Sequence, residues 1–181
     1  WEKGPGYALF KTMKEQIGIK LVIAEDLGFL TPSVIRLVKK TGYPGMKILQ
    51  FAFDSREESD YLPHNYTANS VVYTGTHDND TTLGWYHTIP ACDRRFAKNY
   101  LNIKGNKKVT WEFIRAAIAS VSDTAIIPMQ DYLELGSEAR INTPSTLGDN
   151  WKWRMSAEQL SPELAEEILE LCKLYGRVKE K

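Results

Sequence analysis

Apolar positions first recur with helical period over Tyr7–Ile17, where Leu9, Phe10, Met13 and Ile17 share a stripe and Gly18 follows where a left-handed cap would fall. The pattern then changes to a short continuous run, Leu21-Val-Ile-Ala24, of the kind expected for a strand buried on both faces of a parallel sheet. Thr31 and Pro32 supply a helix start, Val34, Ile35, Leu37 and Val38 an inner face, and Gly42 a stop. Met46–Phe51 predicts a second strand and Ser70–Thr74 a third, with a long polar, aromatic-dotted connection from Asp54 to Asn69 between them. Helices are predicted from about Asp93 to Leu101 and over Trp111–Ala119, the latter with Thr110 as N-cap. Ala125–Met129 reads as a fourth strand weakened by Pro128, which would cost a ladder hydrogen bond. Gly136 to Trp153 is loop-like, and Ser161-Pro162 opens a last helix striped by Leu164, Ile168, Leu171, Cys172 and Tyr175 before Gly176.

Four strands alternating with helices give an α/β chain of parallel βαβ units, without a linker that would divide it into two domains. Two architectures fit: a small open doubly wound sheet, or part of a (β/α)₈ barrel whose complete form needs roughly 250 residues. Both present functional groups at the carboxyl ends of the strands. Two strand ends carry such groups, Leu21-Val-Ile-Ala-Glu-Asp-Leu-Gly28 and Val72-Tyr-Thr-Gly-Thr-His-Asp-Asn-Asp-Thr-Thr82.

Composition narrows the partners. Lys plus Arg and Asp plus Glu both number 23 in the 181 residues, so no basic block is available to follow a phosphate backbone, and nucleic acid is not expected. The two cysteines, Cys92 and Cys172, stand far apart with no Cys or His at metal-ligand spacing, which fits a reducing, cytoplasmic compartment. No apolar run approaches the roughly 20 residues that cross a bilayer, and no membrane partner is expected. The chain starts at Trp1 rather than Met, as a piece of a longer protein would.

Glu25 and Asp78 fall at equivalent strand ends, so sequence distance does not prevent them from facing one cleft. Two carboxyl groups there can perform acid/base work on an acetal if one is held protonated and the other ionised; equally, acidic residues at strand ends cap helices or pair with lysine. His77-Asp78-Asn79-Asp80 raises a metal site, but ligands adjacent in sequence alternate sides on an extended backbone and no second pair completes the set. No metal and no cofactor is expected. His77 suits a hydrogen bond to a sugar hydroxyl, or a structural role. Tyr61, Tyr66, Tyr73, Trp85 and Tyr86 crowd the same region and Trp151 and Trp153 follow later; each could stack on a pyranose or fill core. Gly4-Pro-Gly6 and Thr74-Gly-Thr76 lack the spacing of a phosphate loop, and no Gly-x-Ser-x-Gly elbow occurs.

Longer motifs add a resemblance. Ala24-Glu-Asp-Leu-Gly28, Gly42-Tyr-Pro-Gly-Met-Lys-Ile-Leu-Gln-Phe-Ala-Phe-Asp54, Leu62-Pro-His-Asn-Tyr66, Val72–Asp80, Arg140-Ile-Asn-Thr-Pro144 and Asn150-Trp-Lys-Trp-Arg154 occur in one order over nearly the whole chain. Together they resemble the carboxyl-terminal part of the 4-α-glucanotransferases, also called amylomaltases or disproportionating enzymes. The resemblance implies a partial (β/α)₈ barrel, strands five to eight, in a single domain over 1–181, and retaining transfer of α-1,4-glucan segments between chains. It implies Glu25 as general acid/base, Asp78 as the carboxylate that binds sugar hydroxyls and stabilises the transition state, and His77 as a hydrogen-bonding group in the same subsite. Asn142 corresponds to a position near the acceptor side, and Phe51 and Asp54 to acceptor contacts. The family's nucleophilic aspartate, in an Arg-x-Asp-His motif after strand four, has no counterpart between Trp1 and Lys181. The expectation is therefore an active parent protein, an inactive isolated chain, and sheet edges that pair in a homodimer or larger assembly. An α-amylase-type hydrolase and a non-catalytic glucan-binding module are the alternatives.

Overall fold

The computed structural model describes residues 2–18, 21–105 and 108–178. Its centre is a three-stranded parallel sheet in the order β1 (Gly45–Ile48), β2 (Ser70–Tyr73), β3 (Thr124–Ile126). Gly45 lies opposite Ser70 and Ile48 opposite Tyr73, and Val71 and Tyr73 lie opposite Thr124 and Ile126. All three strands end in the same direction, so the loops that follow them share one rim.

Helices α1 (Tyr7–Ile17) and α2 (Pro32–Thr41) match the predicted stripes and stops, with Gly42 in the left-handed conformation. Neither helix contains a buried residue, however, and the inner-face residues Val34 and Ile35 stay 40% and 52% exposed. The segment between them departs from expectation as well. Leu21–Ala24 forms no strand but a single parallel bridge, Ala24 to Gly45, and Leu21 is exposed. A strand buried on both sides needs a neighbour on each, and among the described residues this segment has one hydrogen-bonded neighbour, β1.

β1 is shorter than Met46–Phe51 because the chain turns at Leu49–Ala52 into a 3₁₀ turn. That turn sends Leu49, Ala52 and Phe53 into the main apolar cluster, where Phe53 meets Phe113, Phe96 and Tyr100 edge-on with centroids 5.4, 5.8 and 5.8 Å away. β3 stops at Ile126, and Pro128 caps the four-residue helix α6 (Met129–Tyr132), so the proline bounds the strand rather than interrupting it. The connection from β2 to β3 contains α3 (Thr82–Thr88), which the polar residues around Thr81 concealed in the sequence, α4 (Ala91–Tyr100) and α5 (Val109–Ala119).

Helix α5 is the main buttress. Phe113, Ile114 and Ala117 are fully buried, Phe113 in the aromatic cluster, Ile114 against α7 (Pro162–Leu174), and Ala117 beneath Val72 of β2. Burial of Phe113 and Ile114 contributes roughly 2 kcal/mol each. Its N-cap is Lys108 and not Thr110, which is the second residue of the helix and wholly buried. Its carboxyl end is held by Arg177, which donates to the carbonyls of Ile118 at 2.9 Å, Ser120 at 2.9 Å and Ser122 at 2.7 Å. One guanidinium thus satisfies carbonyls that a helix end leaves open.

Candidate functional site

At the carboxyl rim of the sheet lies a cleft of about 860 Å³ whose lining includes Glu25, Phe51, Tyr73, His77 and Asp78. Four of the expected residues, Glu25, Phe51, His77 and Asp78, are therefore brought to one space.

Glu25 is presented by its neighbours. The amide of Ala24 donates to the carbonyl of Pro44 at 2.8 Å, and the carboxylate of Asp26 accepts from the amide of Met46 at 2.7 Å. Asp26 thus turns away to pin the segment to β1 while Glu25 stays exposed at the cleft. The fit is close: a Cβ on Gly45 would stand 2.3 Å from Oδ2 of Asp26, so only glycine admits the contact. Tyr73 shares this wall, and burial together with the negative charge of Glu25 pushes its phenol above the ordinary tyrosine value.

The loop between β2 and α3 carries His77 and Asp78. Asn79 folds it locally, its side-chain oxygen accepting from the Thr76 amide at 2.9 Å and hydroxyl at 2.8 Å. The neighbouring strand ends then hold it from both sides. From the turn after β1, the buried Gln50 donates its side-chain amide to the carbonyl of Asp80 at 2.9 Å. From α6, the buried Asp131 accepts from the Thr74 hydroxyl at 2.5 Å and from the amide and hydroxyl of Thr82, both at 2.8 Å. Burial raises the Asp131 carboxyl above its usual range, and the three donated hydrogen bonds oppose that shift. Asp80 points elsewhere, accepting from the Ser137 hydroxyl at 2.6 Å.

Asp78 is set by a later segment. Asn142 donates to its Oδ1 at 2.6 Å, and Nε2 of His77 lies 3.3 Å from the same oxygen. The backbone is fixed in parallel, since the Asn142 amide donates to the His77 carbonyl at 3.1 Å and Arg140 to the Asp78 carbonyl at 2.7 Å. Asn142 therefore reaches the site through Asp78. Phe51 is 43% exposed and set edge-on to Tyr61 at 5.5 Å. Asp54 does not join the group. It is paired with Arg56 through Nε at 2.7 Å and Nη2 at 2.6 Å, which holds its carboxyl down at about 2, and it lines a separate hollow with Cys92 and Phe96.

Gln50, Asp131 and Arg140 were not singled out in the sequence. Gln50 lies inside the predicted strand, Asp131 follows an apolar run as many surface acids do, and only the fold brings either to the loop. Among the described residues no group of three His, Cys, Asp or Glu side chains could hold a metal ion. The arrangement offers two carboxylates and an imidazole on one open cleft, with Oδ1 of Asp78 already oriented by an amide.

A family model described as 4-alpha-glucanotransferase matches residues 1–160. The chain belongs to the 4-alpha-glucanotransferase family. The 4-alpha-glucanotransferase of Streptococcus pneumoniae is 52% identical over 181 residues, covering 99% of this chain and 36% of that protein. The chloroplastic/amyloplastic 4-alpha-glucanotransferase of Arabidopsis thaliana is 46% identical over 182 residues, covering 98% of this chain and 31% of that protein. A solved amylomaltase from Streptococcus agalactiae, in complex with acarbose, superposes with a TM-score of 0.94 at 39% identity, covering 99% of this chain and 36% of that one. The chain thus spans about a third of the length of the curated relatives it matches.

Proposed function

We propose that the chain is the carboxyl-terminal half of a (β/α)₈ catalytic barrel, strands five to eight in one domain, in a protein that transfers α-1,4-glucan segments between maltooligosaccharide chains. The parallel order of the sheet supports this, with the Ala24 to Gly45 bridge continuing it on the side of Glu25. The observation that carries the reading is that Glu25 and Asp78 line one cleft at the carboxyl rim, the end at which such barrels do their chemistry.

In this reading Glu25 protonates the leaving glycosidic oxygen and then takes the proton of the incoming sugar hydroxyl. Asp78, oriented by Asn142, holds sugar hydroxyls and stabilises the positive charge that develops on the ring. His77 hydrogen-bonds in the same subsite, and Phe51 offers an aromatic face to the acceptor. A retaining mechanism needs a nucleophile roughly 5–5.5 Å from the acid/base, and that group comes from outside residues 1–181. The chain alone is therefore inactive, and the full protein acts on starch- or glycogen-derived maltodextrins, in the cytoplasm. No helix among the described residues is long and apolar enough to cross a membrane.

The test is product analysis of maltotriose incubated with the full-length protein. Transfer yields glucose together with maltopentaose and longer chains. Glucose and maltose alone would mean that water is the acceptor and would replace transfer by hydrolysis; no products at all would leave a binding module.

A further inference from the structure

Trp151 is held where neither burial nor backbone preference explains it. Its φ is +64°, a left-handed conformation that costs a non-glycine residue on the order of 1 kcal/mol or more. Trp151 is nevertheless 56% exposed, so the strain is not offset by packing a large apolar residue into the core. Local bonds enforce the conformation. The Trp151 amide donates to the Ile141 carbonyl at 2.7 Å, and Arg154 donates to the carbonyls of Trp151 and Trp153, both at 2.8 Å. Asn150, one residue before, accepts from the Thr143 amide at 2.9 Å and donates to the Thr146 carbonyl at 3.2 Å. The result is a ring fixed beside the imidazole of His77, centroids 5.1 Å apart and planes inclined at 37°.

We propose that Trp151 is a sugar-binding platform that extends the cleft past His77, stacking its exposed indole against the apolar face of a glucose unit next to the one held at Asp78. This rests on the reading that the cleft takes an α-1,4-glucan. The segment is well placed for it, because Ile141 lines the cleft, Asn142 binds Asp78, and Trp151 is hydrogen-bonded to Ile141. The ring neighbours His77, which lines the cleft, while Trp151 stays more than half exposed. Aromatic rings suit this task because a pyranose presents C–H groups that are apolar and poorly served by water. Stored strain at an exposed aromatic is also the pattern expected where position matters more than stability.

The test uses Trp151→Gly and Trp151→Tyr in the full-length protein, with maltoheptaose as probe in calorimetric binding and in steady-state kinetics. Glycine accepts φ +64° without penalty, so Trp151→Gly deletes the ring while the backbone keeps its path. The expected result is a loss of maltoheptaose affinity of about tenfold in Trp151→Gly, a rise in KM that exceeds any fall in kcat, and recovery of most of the affinity in Trp151→Tyr. Unchanged affinity in Trp151→Gly would overturn the platform. A fall in kcat with KM constant would also overturn it, and would make Trp151 a support for His77. A wild-type protein with no affinity for maltoheptaose would instead sink the glucan reading itself.

Discussion

Asn142 donates its side-chain amide to Oδ1 of Asp78 at 2.6 Å across 64 positions of sequence. Two segments that share no secondary-structure element are thereby joined at the site, and one carboxylate oxygen is fixed before any ligand arrives. Asn142→Ala should lower turnover about tenfold through loss of that orientation, with little change in melting temperature because the pair is exposed. Asn142→Asp places a second carboxylate against Asp78 and should lower turnover further than Asn142→Ala; wild-type turnover in both variants would show that this contact does not orient the site.

The Asp131 node should behave as a structural clamp with a pH signature. Asp131→Ala leaves the Thr74 hydroxyl and both Thr82 donors unpaired in the interior and should cost about 3 kcal/mol of stability. Asp131→Asn keeps the node, since threonine hydroxyls can reverse their roles. The folded-state carboxyl is raised above its ordinary value of 3.8, so the native protein binds this proton more tightly than the unfolded chain. Its contribution is full below the unfolded value and is lost as pH rises from there through the raised one. Melting curves should therefore show the wild type losing stability relative to Asp131→Asn over that window, and parallel curves would refute the assignment.

Gly45→Ala tests how Glu25 is held. The added Cβ would lie 2.3 Å from Oδ2 and 2.8 Å from Cγ of Asp26, so the carboxylate must leave the Met46 amide. Stability should fall by about 1–2 kcal/mol, and turnover should fall with it as the Glu25 segment loosens. A variant with wild-type melting temperature and turnover would show that this pin is not needed.

The helices α1, α2 and α7 were legible because each carries a period and a boundary, Gly18, Gly42, or Ser161-Pro162 with Gly176, and the strands β1 and β2 because each falls in a short apolar run. Helix α3 was not, since Thr81 and Thr82 begin it within a polar cluster and its partner Asp131 is 49 positions away. Leu21–Ala24 has the composition of a central strand, but composition cannot supply the second neighbour that would complete it. The motif residues Glu25, His77 and Asp78 were visible as polar groups after strands, and the resemblance added Asn142 and Phe51. Asp54 was carried over by position, and the structure places it in a separate hollow, where Arg56 two residues on binds both its oxygens.

The 181-residue chain by itself should associate. Leu21 is fully exposed, and Val121 and Ile126 near β3 are 59% and 40% exposed, leaving apolar residues at both sides of the sheet. Light scattering of the isolated chain should report a dimer or larger species; a monodisperse monomer would contradict this.

The proposed role of Glu25 as general acid/base of glucan transfer is open to direct measurement. Glu25→Gln in the full-length protein keeps shape and hydrogen-bonding capacity but removes the titratable proton. With maltotriose as substrate, kcat should fall by at least about 100-fold while KM changes little. Turnover within about twofold of the wild type would contradict the account.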